Sequence, residues 1–183
     1  VETIFGYSGG AILPTYDEVF KYNEANPENP MPLIVPSNEQ GAGFMASGYA
    51  RSTGKPGVVM VTSGPGATNT VTPVRDAMAD SIPMVIICGQ VSRQAIGSDA
   101  FQEAPVTSVM GSVAKHVFLV TDENKLAATL KAAFGVATSG RPGPVVVDIP
   151  KDVQTAEISE EDYEETNISA YSNRILAIEK SRL

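Results

Sequence analysis

The stretch that decides the fold is GVVMVTSGPGATN, residues 57–69 of the chain. Its first part, residues 57–62, is a short apolar run without polar alternation, as is typical of a strand buried on both faces. A glycine-rich turn follows, and a helical stretch is predicted over residues 67–79. A buried strand that leads through a short turn into a helix is half of a β-α-β unit.

The same alternation continues on both sides of this stretch. Helical patterns separate the short apolar runs, which favours a parallel sheet. We therefore predict an α/β fold, an open parallel sheet of about six strands with helices on both faces. The predicted strands are residues 3–5, 33–35, 57–62, 84–88, 116–120 and 144–149, and the predicted helices are residues 12–22, 40–51, 67–79 and 125–138.

Composition and charge exclude several classes of protein. Of 183 residues, 43% are hydrophobic and 19% are charged, as in globular proteins, and the formal net charge of −8 argues against nucleic-acid and anionic-membrane surfaces. No apolar stretch approaches the length of a membrane span. Cys88 is the single cysteine, so no internal disulfide can form. The chain begins at Val1 inside an apolar run, which suggests a fragment from which targeting information has been removed.

The acidic residues are concentrated near the end of the chain. Residues 151–183 contain eight acids and four bases, and the segment SEEDYEE at 159–165 has the composition of a solvated linker. We predict one domain over residues 1–154, followed by an acidic linker over residues 155–183 towards a central domain that this chain lacks.

Glu39 is the first candidate for chemistry. Ligands of open parallel sheets bind beyond the carboxyl ends of the strands, and Glu39 follows the second predicted strand and opens a helix. Two interpretations remain open. The carboxylate could stabilise the start of the helix, or it could share a proton with a ligand nitrogen among small and apolar neighbours.

Three other features have ordinary explanations as well. The turn GPGATN at 64–69 has the character of an anion site at a helix start, but it matches no nucleotide fingerprint. His116, the one histidine, lies in an apolar run and is predicted to be a core or edge residue. Cys88 is predicted to be a small core residue rather than a nucleophile.

Five motifs together resemble one family. They are GYSGGAI at 6–12, NEQGAGFMASGYAR at 38–51, TSGPGATN at 62–69, IGSDAFQE at 96–103 and ATSGRPGPVVVDIPKDVQ at 137–154. In this order and spacing they are similar to the N-terminal, pyrimidine-binding domain of acetohydroxyacid synthase, also called acetolactate synthase. The resemblance implies a thiamine-diphosphate-binding fold and a transferase that decarboxylates pyruvate. The resulting two-carbon unit is joined to a second 2-keto acid, giving 2-acetolactate or 2-aceto-2-hydroxybutyrate in branched-chain amino-acid synthesis.

The resemblance also implies roles for single residues. Glu39 matches the catalytic glutamate that bonds N1′ of the cofactor's aminopyrimidine. Arg141 matches a residue that contacts FAD, which this family binds for structural reasons. Gly9, Gly10, Pro65, Asn69 and Gln102 match further thiamine-diphosphate-binding positions, and Phe101, Gln102 and Lys115 match the substrate side. The resemblance assigns no metal ligand to this chain, because Mg²⁺ and most of the FAD are bound by the C-terminal and central domains.

Some positions depart from the family pattern. Ser8 replaces a proline, Asn38 and Phe44 replace histidines, and Ser47 replaces a glutamate. Asn38 and Phe44 flank Glu39, so a different 2-keto acid preference is one alternative. A pyruvate oxidase, a sulfoacetaldehyde acetyltransferase relative and a non-catalytic assembly module are the others.

The resemblance finally implies partners and a compartment. A homodimer or homotetramer forms through this domain, with a possible small regulatory subunit, and the isolated chain is expected to be inactive. A bacterial cytoplasm is the default location, with plastid or mitochondrion as the alternatives if a transit peptide was removed.

Overall fold

A computed structural model describes residues 1–158. Their strands form one six-stranded sheet in the order β2-β1-β3-β4-β6-β5, and every neighbouring pair is parallel. The predicted open parallel α/β sheet is therefore confirmed. The strands are β1 (Ile4–Tyr7), β2 (Leu33–Ile34), β3 (Gly57–Val61), β4 (Met84–Gln90), β5 (His116–Leu119) and β6 (Pro144–Pro150).

Helices connect consecutive strands and extend beyond the last one. Three of the four predicted helices are present with ends that differ by a few residues, and the remaining region, residues 67–79, contains two helices. Two short helices, α5 and α7, were not predicted, because one or two turns leave too little periodicity to recognise. The helices are α1 (Leu13–Ala25), α2 (Glu39–Thr53), α3 (Pro65–Thr68), α4 (Val71–Ala79), α5 (Val106–Gly111), α6 (Leu126–Thr138) and α7 (Lys151–Gln154).

Both faces of the sheet are covered, as predicted. Alternate strand residues such as Val59 and Ile86 pack against α2, α4 and α5. Residues of the opposite parity, such as Met60 and Val145, pack against α1 and α6. Cys88 is fully buried in the first of these layers, which confirms its prediction as a core residue.

The prediction of one continuous helix over residues 67–79 was wrong. The segment is split into α3 and α4 at Asn69 and Thr70. Pro73 explains the break, because it lacks the N–H that would bond the Asn69 carbonyl and its ring would clash with that carbonyl. The break leaves Asn69 at the end of a short turn rather than inside a helix.

Gly57 allows α2 to approach the central strand β3 closely. A Cβ atom at Gly57 would lie 2.2 Å from the carbonyl oxygen of Ala46. Because β3 is bonded to β1 on one side and β4 on the other, neither backbone can move away easily.

We expect Gly57→Ala to lower the free energy of unfolding by about 3 kcal/mol, the upper part of the range for overpacked cores. Urea unfolding of the chain measures the effect. Gly48→Ala is the matched control on the exposed side of α2, where a Cβ atom meets nothing within 4 Å. It is expected to stabilise the chain by about 0.5–1 kcal/mol through helix propensity. Equal unfolding midpoints for Gly57→Ala and the unmodified chain would contradict this packing.

Gln154 joins the end of the described chain to α1. Its amide nitrogen donates to the carbonyl oxygens of Ala11 (2.8 Å) and Ile149 (2.9 Å), and its amide oxygen accepts from Thr15 (2.8 Å). The predicted acidic linker lies almost entirely outside the described residues. Within residues 1–158, no helix has the length and apolar character needed to cross a membrane.

Candidate cofactor site at the carboxyl end of the sheet

Glu39 begins α2, and its neighbour Asn38 caps that helix. The Asn38 side-chain oxygen accepts a hydrogen bond of 2.8 Å from the backbone nitrogen of Gly41. This bond satisfies one of the free N–H groups at the helix start. Glu39 is therefore not needed as the cap, and its half-buried carboxylate is available for another partner.

Asn69 is the hydrogen-bond partner of Glu39 among the described residues. Its Nδ2 donates a 2.9 Å hydrogen bond to Oε2 of Glu39, across 30 positions of sequence. The break between α3 and α4 places Asn69 at the end of a short helix, from which its side chain reaches Glu39. The bond fixes one carboxylate oxygen and leaves Oε1 for a ligand.

Thr62 joins the two glycine-rich turns beside this carboxylate. Its Oγ1 accepts from the backbone nitrogen of Ala11 at 3.3 Å, and a Cβ atom at Gly9 would lie 2.5 Å from its Cγ2. A Cβ atom at Gly66 would lie 2.7 Å from the same Cγ2 and 3.7 Å from Oε1 of Glu39. The close approach of the Thr62 methyl group therefore requires glycine at positions 9 and 66, and Gly66 also lies next to Oε1 of Glu39. We call Gly9, Glu39, Thr62, Gly66 and Asn69 the Glu39 site.

Tyr16 lies beneath the Glu39 site on α1. Its hydroxyl donates to the carbonyl oxygen of Met60 at 3.0 Å. Burial, with a smaller contribution from the negative charge of Glu39, raises the pKa of Tyr16. The hydroxyl therefore stays neutral and acts as a fixed donor. Sequence reasoning missed Tyr16 and Thr62, since a lone Tyr on a helix and a Thr at a strand end carry no distinctive pattern.

Residues 91–104 form a loop that lies against the GPG turn. Gly64 has a φ of +56°, and a Cβ atom there would lie 2.4 Å from the carbonyl oxygen of Gln102. Gln102 itself has a φ of +57°, and the neighbouring Phe101 side chain is 89% exposed. Pro65, in the same turn as Gly64, is also exposed. The loop thus brings Phe101 and Gln102 to the end of the sheet that holds Glu39.

Glu103 gives this loop an internal framework. Its carboxylate accepts hydrogen bonds from the backbone nitrogens of Gly97 and Ala100. Backbone donors, that of Gly97 first, hold the pKa of Glu103 below its usual value. The segment from Gly97 to Glu103 is therefore held together by hydrogen bonds within the segment.

Lys115 and Arg141 lie at the opposite end of the sheet, just before β5 and β6. Lys115 Nζ donates to the carbonyl oxygens of Val136 (2.5 Å) and Ser139 (2.6 Å), and burial lowers its pKa. Arg141 donates to Ser81 Oγ (2.9 Å) and to the carbonyl oxygen of Met78 (2.8 Å). The structure does not bring these two side chains together with Glu39, and their predicted roles remain predictions.

Gly10 completes the predicted set. It is exposed in the turn after β1, and a Cβ atom there would meet nothing within 4 Å.

His116 is exposed on the edge strand β5 and packs edge-to-face on Phe118, with ring centroids 4.3 Å apart. Within residues 1–158, no three His, Cys, Asp or Glu side chains are grouped as a metal site.

The chain matches a known protein family. Residues 1–111 match the N-terminal TPP-binding domain of thiamine pyrophosphate enzymes. The chain belongs to this family. The resemblance drawn from the five motifs is confirmed at this level, and a thiamine-pyrophosphate-binding N-terminal domain is the expected setting for the Glu39 site.

Relatives of this thiamine-pyrophosphate-binding domain agree in name. The chain is 56% identical over 156 residues to the mitochondrial acetolactate synthase catalytic subunit of Saccharomyces cerevisiae, covering 85% of the chain and 22% of that protein. It is 50% identical over 157 residues to the acetolactate synthase large subunit of Corynebacterium glutamicum, covering 86% and 24%. It is 49% identical over 154 residues to the chloroplastic acetolactate synthase of Arabidopsis thaliana, covering 84% and 22%. The chain spans less than a quarter of the length of these relatives.

Proposed function

We propose that the protein is an acetohydroxyacid synthase in which this chain supplies the pyrimidine side of the thiamine diphosphate site. The observation that carries the proposal is the Glu39 carboxylate, bonded to Asn69 beside glycine turns, in a chain 56% identical to an acetolactate synthase. Under this proposal residues 1–154 are the pyrimidine-binding domain and residues 155–183 are a linker to a central domain.

The residues present suit an aminopyrimidine ring. Glu39 offers Oε1, and the glycine turns at Gly9 and Gly66 pack closely on Thr62 beside it. Gly9, Gly10, Pro65, Asn69 and Gln102 would hold the cofactor around Glu39. When bound, thiamine diphosphate supplies a carbon nucleophile and an electron sink for the loss of CO₂.

Glu39 would hold and exchange the proton at N1′ of the cofactor. Proton transfer by a positioned carboxyl group typically contributes 10²- to 10⁴-fold to a rate. Asn69 would orient the carboxyl group through Oε2, so that Oε1 faces the ring. Phe101 and Gln102 would bound the space for the 2-keto acid. The proposal gives Lys115 no role at this space, because its Nζ bonds carbonyl oxygens at the opposite end of the sheet.

Other parts of the complete protein follow from the same proposal. Arg141 would contribute to FAD binding next to a cavity of about 540 Å³ that Arg75, Met78 and Ser112 also line. Mg²⁺ and most of the FAD would be held by other domains. Homodimers or homotetramers, with a possible regulatory subunit, would form through this domain.

The relatives include mitochondrial, chloroplastic and bacterial proteins. We expect a cytoplasmic enzyme in a bacterial host and an organellar one in a eukaryotic host.

The test is acetolactate formation from pyruvate by the full-length protein, with thiamine diphosphate, Mg²⁺ and FAD each omitted in turn. The proposal expects acetolactate only when all three are present. Pyruvate consumption without acetolactate would move the protein to a sister reaction, and no turnover of any 2-keto acid would overturn the proposal.

Asn69→Ala removes the hydrogen bond that Asn69 donates to Glu39. Since a hydrogen bond to a charged group is worth about 1.5–3 kcal/mol, we expect kcat of the full-length enzyme to fall about 10- to 100-fold. Steady-state acetolactate assays at saturating cofactor measure the change. Asn29→Ala, in the exposed turn before β2, is the control and is expected to leave kcat unchanged. An Asn69→Ala enzyme with unaltered kcat would show that the bond has no catalytic consequence.

A further inference from the structure

Gln90 and Asp148 form a buried polar pair that the proposed chemistry does not use. Gln90 ends β4 and is 3% exposed, and Asp148 lies in the neighbouring strand β6 and is 1% exposed. Nε2 of Gln90 donates to Oδ2 of Asp148 at 3.0 Å. Buried polar side chains are costly unless they are bonded, so a pair of them inside a sheet needs an explanation.

The Gln90 amide also bonds both ends of the loop formed by residues 91–104. Its Nε2 donates to the carbonyl oxygen of Ala104 at 3.1 Å, and its Oε1 accepts from the backbone nitrogen of Val91 at 2.9 Å. One side chain therefore closes the base of the loop and ties it to β6 through Asp148.

Three partners determine which way the Gln90 amide points. The carbonyl oxygen of Ala104 can only accept and the Val91 N–H can only donate, so the NH₂ group of Gln90 faces Ala104 and Asp148 and its oxygen faces Val91. The reversed amide would lose the bonds to Ala104 and Val91. Oδ1 of Asp148 has no hydrogen-bond partner within the described residues. The carboxyl group is thus costly to bury, and within residues 1–158 its side chain has one hydrogen bond, from Gln90.

Movement at the base of the loop would reach Phe101 and Gln102. Glu103 braces the outer part of the loop from within, so this part moves as a body. Gln102 approaches Gly64 so closely that a Cβ atom at Gly64 has no room, and Arg93, near the base of the loop, is also held by Asp152 and Glu123. Small displacements at Gln90 therefore change where Phe101 and Gln102 stand relative to the GPG turn.

We propose that Gln90 and Asp148 are positioning residues that set the place of the 91–104 loop and hence the affinity of the enzyme for its 2-keto acid. The inference rests on the proposed function, in which Phe101 and Gln102 bound the substrate. Because the pair touches neither Glu39 nor Asn69, it acts on substrate binding and not on the proton chemistry of the cofactor.

The kinetic test uses the full-length enzyme with Gln90→Met, which keeps the length of the side chain and removes its hydrogen bonds. We expect KM for pyruvate to rise about tenfold, in line with the loss of one or two buried bonds, while kcat stays within about twofold. Asp148→Asn, which retains an acceptor, is expected to raise KM less than Asp148→Val. Cys88→Ala is the control for a loosened core beside Asp148, and it is expected to lower the melting temperature without changing KM.

A second readout does not depend on activity. In Gln90→Met we expect amide hydrogen exchange at residues 91–104 to accelerate at least tenfold, with no such change in Cys88→Ala. If the wild-type enzyme makes no acetolactate, the proposed function is overturned. The amide hydrogen exchange of residues 91–104 still tests the role of Gln90 in that case. Unchanged KM in an active Gln90→Met enzyme, equal effects of Gln90→Met and Cys88→Ala, or unchanged exchange overturns this inference.

Discussion

Glu39→Gln is expected to lower kcat of the full-length enzyme by about 10²- to 10⁴-fold, the usual contribution of a positioned proton-transfer group. Glutamine has nearly the same shape as glutamate and its oxygen can still accept the bond from Asn69. It cannot hold a proton at the position of Oε1. The loss should therefore appear in kcat, with smaller changes in the apparent affinities for thiamine diphosphate and pyruvate. Steady-state acetolactate assays at saturating cofactor measure both.

Glu24→Gln provides the charge-matched control. Glu24 is exposed on α1. Its replacement by glutamine removes the same negative charge and leaves the Glu39 site unchanged. We expect this variant to keep the wild-type kcat. If Glu39→Gln were equally active, Glu39 would be a helix-terminal charge and the proposed role would be wrong.

Asp148 is expected to make the stability of the chain fall as pH rises from about 4 to about 7. Burial, opposed by the bond from Gln90, raises the pKa of Asp148 to about 7 from an ordinary value of 3.8. Between these two values the folded chain holds a proton that the unfolded chain has released. The free energy of unfolding then decreases by about 1.4 kcal/mol per pH unit, on the order of 4 kcal/mol in total. Below pH 4 this penalty is absent, and above pH 7 it is complete.

Urea unfolding between pH 5 and pH 8 measures this dependence, and Asp148→Asn separates it from other titrating groups. The neutral amide has no proton to lose, so the difference in stability between the variant and the unmodified chain should grow as pH rises to 7 and then level off. Parallel curves for the two proteins across this range would show that Asp148 does not titrate near neutrality.

The sheet was predictable chiefly because its strands β3, β4 and β6 are buried on both faces. Runs such as residues 57–62 are almost entirely apolar, which predicts a buried strand. The helices between such runs show apolar residues at helical spacing. The strand order was not predictable, since a buried run does not specify which neighbour it pairs with. The break at Asn69 could have been found, because Pro73 stands four residues later and removes the bond that a continuous helix requires.

The Glu39 site was predictable in part. Its position beyond a strand end identified Glu39, and the motif resemblance added Asn69 and Gly9. Their mutual geometry depends on Thr62, which contacts both glycine turns, and on Asn38, which takes the capping role. Those contacts arise only when distant parts of the chain fold together. Lys115 and Arg141 came from resemblance alone, and within this chain their side chains bond the ends of α6 and α4.

The most direct test of the central claim is the exchange of the C2 proton of bound thiamine diphosphate for deuterium, measured by NMR after rapid quenching. The full-length wild-type enzyme and Glu39→Gln would be compared at equal cofactor occupancy. We predict rapid exchange in the wild type and, in Glu39→Gln, a rate lowered by at least 10²-fold towards that of the free cofactor. Equally rapid exchange in both proteins would contradict the assignment of Glu39 as the group that activates the cofactor.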